Sequence, residues 1–172
     1  MFIQKDGSVI LTDMFIVQPK LSLSTFRRTS EFSLWEELAL LEDSYGVYKR
    51  DVVNSEGRKF TAWLMFSESL IDRVYLSFFL PNEQGNRVRI VEGWNNDIQR
   101  KRLHRQILRE ELGIPPYDYS WGVVLSGVNE LDFTSTIKIQ YWSPNLSIPE
   151  NSSIKIESWH MMGRGKNPFS TS

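Results

Sequence analysis

The most regular alternation of apolar and polar positions lies in the middle of the chain. Phe60, Ala62, Leu64 and Phe66 alternate with Thr61, Trp63 and Met65, and Val74, Leu76, Phe78 and Leu80 alternate with Arg73, Tyr75, Ser77 and Phe79. Side chains of a strand point to opposite faces with a period of two, so both stretches read as strands with one strongly apolar face. Asn54-Ser-Glu-Gly57 and Asn82-Glu-Gln-Gly-Asn86 carry turn chemistry. Residues 47–91 are therefore expected to form an antiparallel meander of four strands. Val9 to Val17 is apolar, contains β-branched residues and closes at Pro19, which predicts a short strand or a pair of them. Trp121 to Ser126 and Ser135 to Trp142 read as a further strand pair, and Ile154 to Trp159 as a last strand.

Two stretches change the period from two to between three and four. Ser33 followed by Glu36 has the spacing of a capping box, and Leu34, Leu38 and Leu41 recur at steps of four and three. This predicts a helix from Leu34 to Glu42, ended by Tyr45-Gly46. A second helix is expected from Ile98 to Leu112, capped by Asn95 or Asn96 and stopped by Gly113 before Pro115-Pro116. Strands and helices are grouped rather than alternating, which indicates an α+β fold and disfavours parallel βαβ units. The expected architecture is an antiparallel sheet of about seven strands with two amphipathic helices on one face. Residues 1–162 form this single domain, and 163–172, small, polar and punctuated by Gly and Pro, are expected to be a disordered tail.

At 172 residues, the chain can bury roughly 70% of its unfolded surface and needs no disulfide or metal to hold a core. It has no Cys and only two His, which removes zinc fingers, iron–sulfur centres and thiol catalysis. No metal site or cofactor is expected. Twenty Lys and Arg against 21 Asp and Glu argue against a general nucleic-acid or membrane coat. The first residues lack the apolar run of a secretory signal, and no later run approaches a membrane span, so the expected location is the cytoplasm.

Candidate chemistry is sparse. There is no Walker pattern and no G-x-G-x-x-G after a strand, and Gly163-Arg-Gly165 has too few glycines for a phosphate loop. No serine occurs as G-x-S-x-G. Any triad or general base would have to use His104 or His160. His104 falls on the helical wheel among Leu103, Ile107, Leu108 and Leu112, the position of a partly buried ring satisfied by hydrogen bonds, and His160 adjoins the tail. The pairs Glu36-Glu37, Glu42-Asp43 and Glu110-Glu111 read as solvated helix surface, since adjacent helical residues diverge by about 100 degrees. No catalytic residue is assigned.

Binding has better candidates. The helix ending at Leu112 carries Arg100, Lys101, Arg102, Arg105 and Arg109 against three acids. Arg102, Arg105 and Arg109 share an arc of roughly 60 degrees, a basic stripe suited to phosphates or to an acidic protein face. Nucleic-acid binding would also want rings beside cations on an open sheet, for which Trp63, Tyr75 and Phe79 qualify only if their face is uncovered. The loop Pro115-Pro-Tyr-Asp-Tyr-Ser-Trp-Gly122 gathers Tyr117, Tyr119 and Trp121, rings expected to be exposed as interface anchors. Asn129-Glu-Leu-Asp-Phe133 adds Asp132 as a carboxylate for a basic partner.

Leu103-His-Arg-Gln-Ile-Leu-Arg-Glu-Glu-Leu-Gly-Ile-Pro-Pro116, Tyr119-Ser-Trp-Gly-Val-Val124, the acidic turn 129–132 and Ser135-Thr-Ile-Lys-Ile-Gln-Tyr141 together resemble small bacterial α+β proteins of uncharacterised or immunity type. The resemblance covers about 40 residues of capping and packing positions and carries over no site residue. It implies a protein that binds a cognate toxin domain and neutralises it by steric occlusion. The basic helix departs from the acidic character of nuclease inhibitors. The expected function is thus non-enzymatic protein binding through Tyr117, Tyr119, Trp121, Asp132, Arg102, Arg105 and Arg109. Two alternatives remain open: a small hydrolase or transferase centred on His104, and a nucleic-acid-associated accessory protein using the Arg102/Arg105/Arg109 stripe.

Overall fold

The computed structural model describes residues 2–41, 44–80, 93–129 and 134–142. The fold is α+β. Strands β1 (Val9–Thr12) and β2 (Phe15–Val17) form a hairpin, followed by a short helix α1 (Leu23–Arg27) and a 3-10 turn at Phe32–Leu34. Then come β3 (Glu36–Leu41), β4 (Tyr45–Val53), β5 (Lys59–Ser67), β6 (Leu70–Phe78), helix α2 (Gly93–Leu112), β7 (Asp118–Tyr119), β8 (Gly122–Val128) and β9 (Ser135–Tyr141). Strands β3 to β9 make one antiparallel sheet of seven strands in the order β3-β4-β5-β6-β9-β8-β7.

Alternation decides which face is buried. Phe60, Ala62, Leu64 and Phe66 of β5 lie across from Val52, Tyr48, Val74, Leu76 and Phe78 on neighbouring strands, and Ile137 and Ile139 extend the same face. The β1–β2 hairpin and α1 cover one half of this face, with Phe26 against Tyr48 and Phe66 at centroid distances of 5.0 and 5.3 Å. Helix α2 covers the other half, packing Ile107 and Leu108 over β6, β8 and β9. Phe2 joins the halves: its ring meets Phe78 at 5.6 Å and its N–H donates to Glu111 Oε2 at 2.7 Å.

Where a helix was expected from Leu34, the described residues form a strand over Glu36–Leu41. Only Phe32–Leu34 makes a helical turn, Trp35 is extended, and β3 then pairs with β4 from Glu36↔Lys49 to Leu41↔Tyr45. The apparent helical spacing of Leu34 and Leu38 buries neither residue, since both are exposed. What holds the segment is the backbone ladder, supported by the Tyr48 hydroxyl donating to Glu37 Oε2 at 2.9 Å, so pairing to an existing sheet overrides local propensity. Tyr45-Gly46, expected to end a helix, opens β4 instead. Glu36 and Glu37 consequently point to opposite faces of a strand rather than round a helix.

Other expectations divide similarly. Val9 to Val17 is the expected strand pair, the turn at 54–57 is closed by Asn54 N–H to Arg58 O, and β8 and β9 pair as anticipated. The fourth strand of the meander, near 87–91, the turn at 82–86, the strand at 154–159, His160 and the tail lie outside the described residues. Helix α2 ends where expected, with Gly113 at φ +86° and its N–H on Arg109 O. It starts earlier, at Gly93, so Asn95 and Asn96 lie within it rather than capping it.

Candidate functional site

The end of α2 and the edge of the sheet are joined by the segment the sequence marked as an aromatic loop. Gly113 adopts the left-handed conformation that a helix terminus favours, releasing the chain into Ile114, Pro115 and Pro116. Tyr117 then folds back. Its hydroxyl donates to Gly113 O at 2.9 Å, its carbonyl accepts the Val124 N–H at 3.0 Å, and its ring joins the core. Two residues of β7 follow, paired Asp118↔Val123 and Tyr119↔Gly122.

This geometry leaves a cleft of about 300 Å³ between α2, the Pro115–Asp118 segment and β8. Leu108, Tyr117 and Val124 supply its apolar floor, Pro115 and Pro116 one end, and Arg105 and Arg109 a basic wall. Arg105 and Arg109 are four residues apart, hence one above the other on the same helix face. Both are exposed, and neither guanidinium group has an ion-pair or hydrogen-bond partner among the described residues. Among the described residues Asp118 is the one carboxylate in the lining, so the two guanidinium groups leave the cleft basic. Ser126 also lines it, with a buried hydroxyl that has no hydrogen-bond partner among the described residues. Chemically, this is an apolar trough with two planar cationic forks along one side, fitted to carboxylates or phosphates carried by a larger ligand.

The expected site residues fall into three groups. Arg105, Arg109 and Tyr117 meet in the cleft. Tyr117 is there as floor, however, not as a free anchor: only 9% of it is exposed, because the Pro115-Pro116 turn presses the ring back under the helix end. Arg102 is exposed but outside the lining, and Asp132 lies outside the described residues. Tyr119 and Trp121 are half-buried. Their rings stack at 4.9 Å, the Trp121 indole N–H donates to Lys5 O at 2.8 Å, and the ring packs against Tyr141 and Gly7. A Cβ on Gly7, whose φ is +88°, would lie 2.5 Å from that indole, so this pair secures the N-terminal turn to the sheet edge.

Sequence reasoning missed two contributions. Glu111, taken as solvated, is buried because its carboxylate receives the Phe2 N–H. Asp118 and the edge of β8 carried no motif at all, and only their pairing with a truncated β7 gives them a role.

His104 does not reach the cleft. It is fully buried, and its Nε2 accepts the Phe78 N–H at 3.2 Å, while Nδ1 lies 3.4 Å from Ser135 Oγ. The β6–β9 ladder runs only to Leu76↔Ile137, so the ring supplies an acceptor for a backbone donor that the sheet has left behind. Burial, with the nearby Arg100 charge adding to it, pulls its pKa down from 6.5 to about 3. Of the three rings considered for base stacking on the far face of the sheet, Phe79 is half-buried and the other two are covered. Trp63 and Tyr75, opposite each other on β5 and β6, are buried, with Lys49 and Lys138 over their rings at 5.9 and 5.8 Å.

Among the described residues, no group of three His, Asp or Glu could hold a metal ion, and no helix is long and apolar enough to cross a membrane. Fold and cleft define a small α+β protein with a basic, apolar-floored groove between a helix and an edge of the sheet. No protein-family model, curated protein or solved structure matches the chain.

Proposed function

We propose that the chain is a non-enzymatic protein-binding protein and that the groove between α2 and β8 receives its partner. The observation that carries this reading is the pair Arg105 and Arg109, exposed over an apolar floor and without an intramolecular partner among the described residues. Arg beside buried apolar surface is the composition of an interface hot spot. On the resemblance of residues 103–141 to immunity-type proteins, the partner is a cognate bacterial toxin domain, occluded in the cytoplasm of the cell that makes both. A catalytic His104 fits poorly with a ring sealed from solvent and committed to a backbone donor. A nucleic-acid reading is disfavoured by the burial of Trp63 and Tyr75, two of the rings it would stack bases on.

Arg105→Glu combined with Arg109→Glu tests the proposal. Both side chains are solvated, so circular dichroism and urea midpoint should match the parent to within about 0.5 kcal/mol. Capture of the partner from the native host should fall at least about a hundredfold, since opposing a charge pair costs several kcal/mol. Undiminished capture by the folded double variant would remove the groove from the interface.

A further inference from the structure

The outer edge of β8 is only partly covered. In the register Asp118↔Val123 and Tyr119↔Gly122, Tyr117 faces Val124, and the next residues back along the chain are Pro116 and Pro115. Proline has no N–H to give a ladder, and the segment turns away toward Gly113. The Val124 N–H points outward, to Tyr117 O. Backbone groups in a strand alternate direction, so those of Ser126 and Val128 point to the same outer side. Among the described residues no strand pairs with them there. Natural edges are usually blunted by charge or proline, yet Gly122–Val128 contains neither, and Leu125 beside the gap is 47% exposed.

This edge, unpaired among the described residues, forms one side of the groove whose other side is Arg105 and Arg109. We infer that an extended, acidic segment of the partner adds to the sheet as a strand beside Ser126 and Val128, with alternate carboxylates held by Arg105 and Arg109. The inference rests on the groove being the partner site. Charge selects the occupant: among the described residues two guanidinium groups without a partner stand against one carboxylate, Asp118, which favours an acidic strand. Spacing agrees. Positions four apart on a helix rise about 6 Å, and alternate side chains of a strand are about 6.8 Å apart. Glutamates at every second residue would therefore meet successive arginines while the backbone pairs with β8.

The probe is the octapeptide Thr-Glu-Thr-Glu-Thr-Glu-Thr-Glu, titrated into the intact chain and followed by amide NMR and hydrogen exchange. The Ser126 and Val128 amides should shift and gain protection. Peptides N-methylated at alternate backbone nitrogens, in the register facing β8, should bind at least about tenfold more weakly, as should the peptide with Lys for Glu. Binding unaffected by N-methylation in either register, or leaving Ser126 and Val128 unperturbed, would overturn strand addition, and so would absence of peptide binding. The groove reading survives those results if Arg105→Glu/Arg109→Glu still abolishes partner capture, and falls with them if it does not. A dimer of the chain that Ser126→Pro dissociates would replace the acidic strand by a second copy and overturn the inference.

Discussion

Between pH 6.5 and about pH 3 His104 is expected to lower the domain's stability by up to about 1.4 kcal/mol per pH unit. The folded ring is neutral and buried, with its pKa below the unfolded value. Its stabilising effect is fully present above 6.5, where neither state holds the proton, and drains as pH falls and only the unfolded chain protonates. The hydrogen bonding sharpens this. Because Phe78 N–H donates to Nε2, the ring's proton sits on Nδ1, toward Ser135. A second proton would set two donors against each other in the core. Over the whole window the loss reaches several kcal/mol, comparable with the total stability of an ordinary domain. Urea titrations at successive pH values read the slope directly. His104→Gln offers an acceptor that does not titrate here, so its slope should be flatter than the parent's; an unchanged slope would place the acid sensitivity elsewhere.

Phe26→Ala should cost about 3–5 kcal/mol, the largest effect of any single truncation we consider. Phe26 is fully buried, and its ring lies within 5.0 to 5.8 Å of the rings of Phe15, Phe32, Trp35, Tyr48 and Phe66. It therefore ties the β1–β2 hairpin and the 3-10 turn to the sheet, and a void there faces five rigid neighbours that cannot easily close it. Ile114, 90% exposed, gives the control: Ile114→Ala should change the urea midpoint by less than about 0.5 kcal/mol. Similar effects from the two substitutions would mean that the N-terminal unit is not docked as described.

Phe26 also shows where the chain was readable and where it was not. The alternating strands β5 and β6 could be read because residue type alternates along them, although burial does not: Thr61, Trp63 and Tyr75 on the second face are buried as well. Strand β3 could not, because an edge strand held by backbone pairing leaves no burial pattern, and its leucines fell by chance at helical spacing. Helix α1 did have a local signal, the Ser22 hydroxyl accepting the Thr25 N–H, with Leu23 and Phe26 buried three residues apart. The turn between β5 and β6 had none: Glu68 and Ser69 adopt φ of +50° and +66° without the Gly or Asn that marks such hairpins.

The site was half legible. Arg105 and Arg109 stood out as a stripe because helical geometry projects from sequence alone. The role of the aromatic loop did not, since whether Tyr117 anchors a partner or floors a groove depends on a turn that folds it under α2. The open edge of β8 is a property of what fails to pair with it, and no local pattern encodes that.

Photo-cross-linking in the native host shows whether the partner sits in the groove between α2 and β8. A photoreactive residue at Asp118, exposed in the groove lining, is compared with one at Asp51, exposed on β4 away from the groove. A discrete cross-linked protein is expected from position 118, absent from position 51 and lost on Arg105→Glu/Arg109→Glu. A cross-link from position 51 alone, or one from 118 that survives the charge reversal, would contradict it.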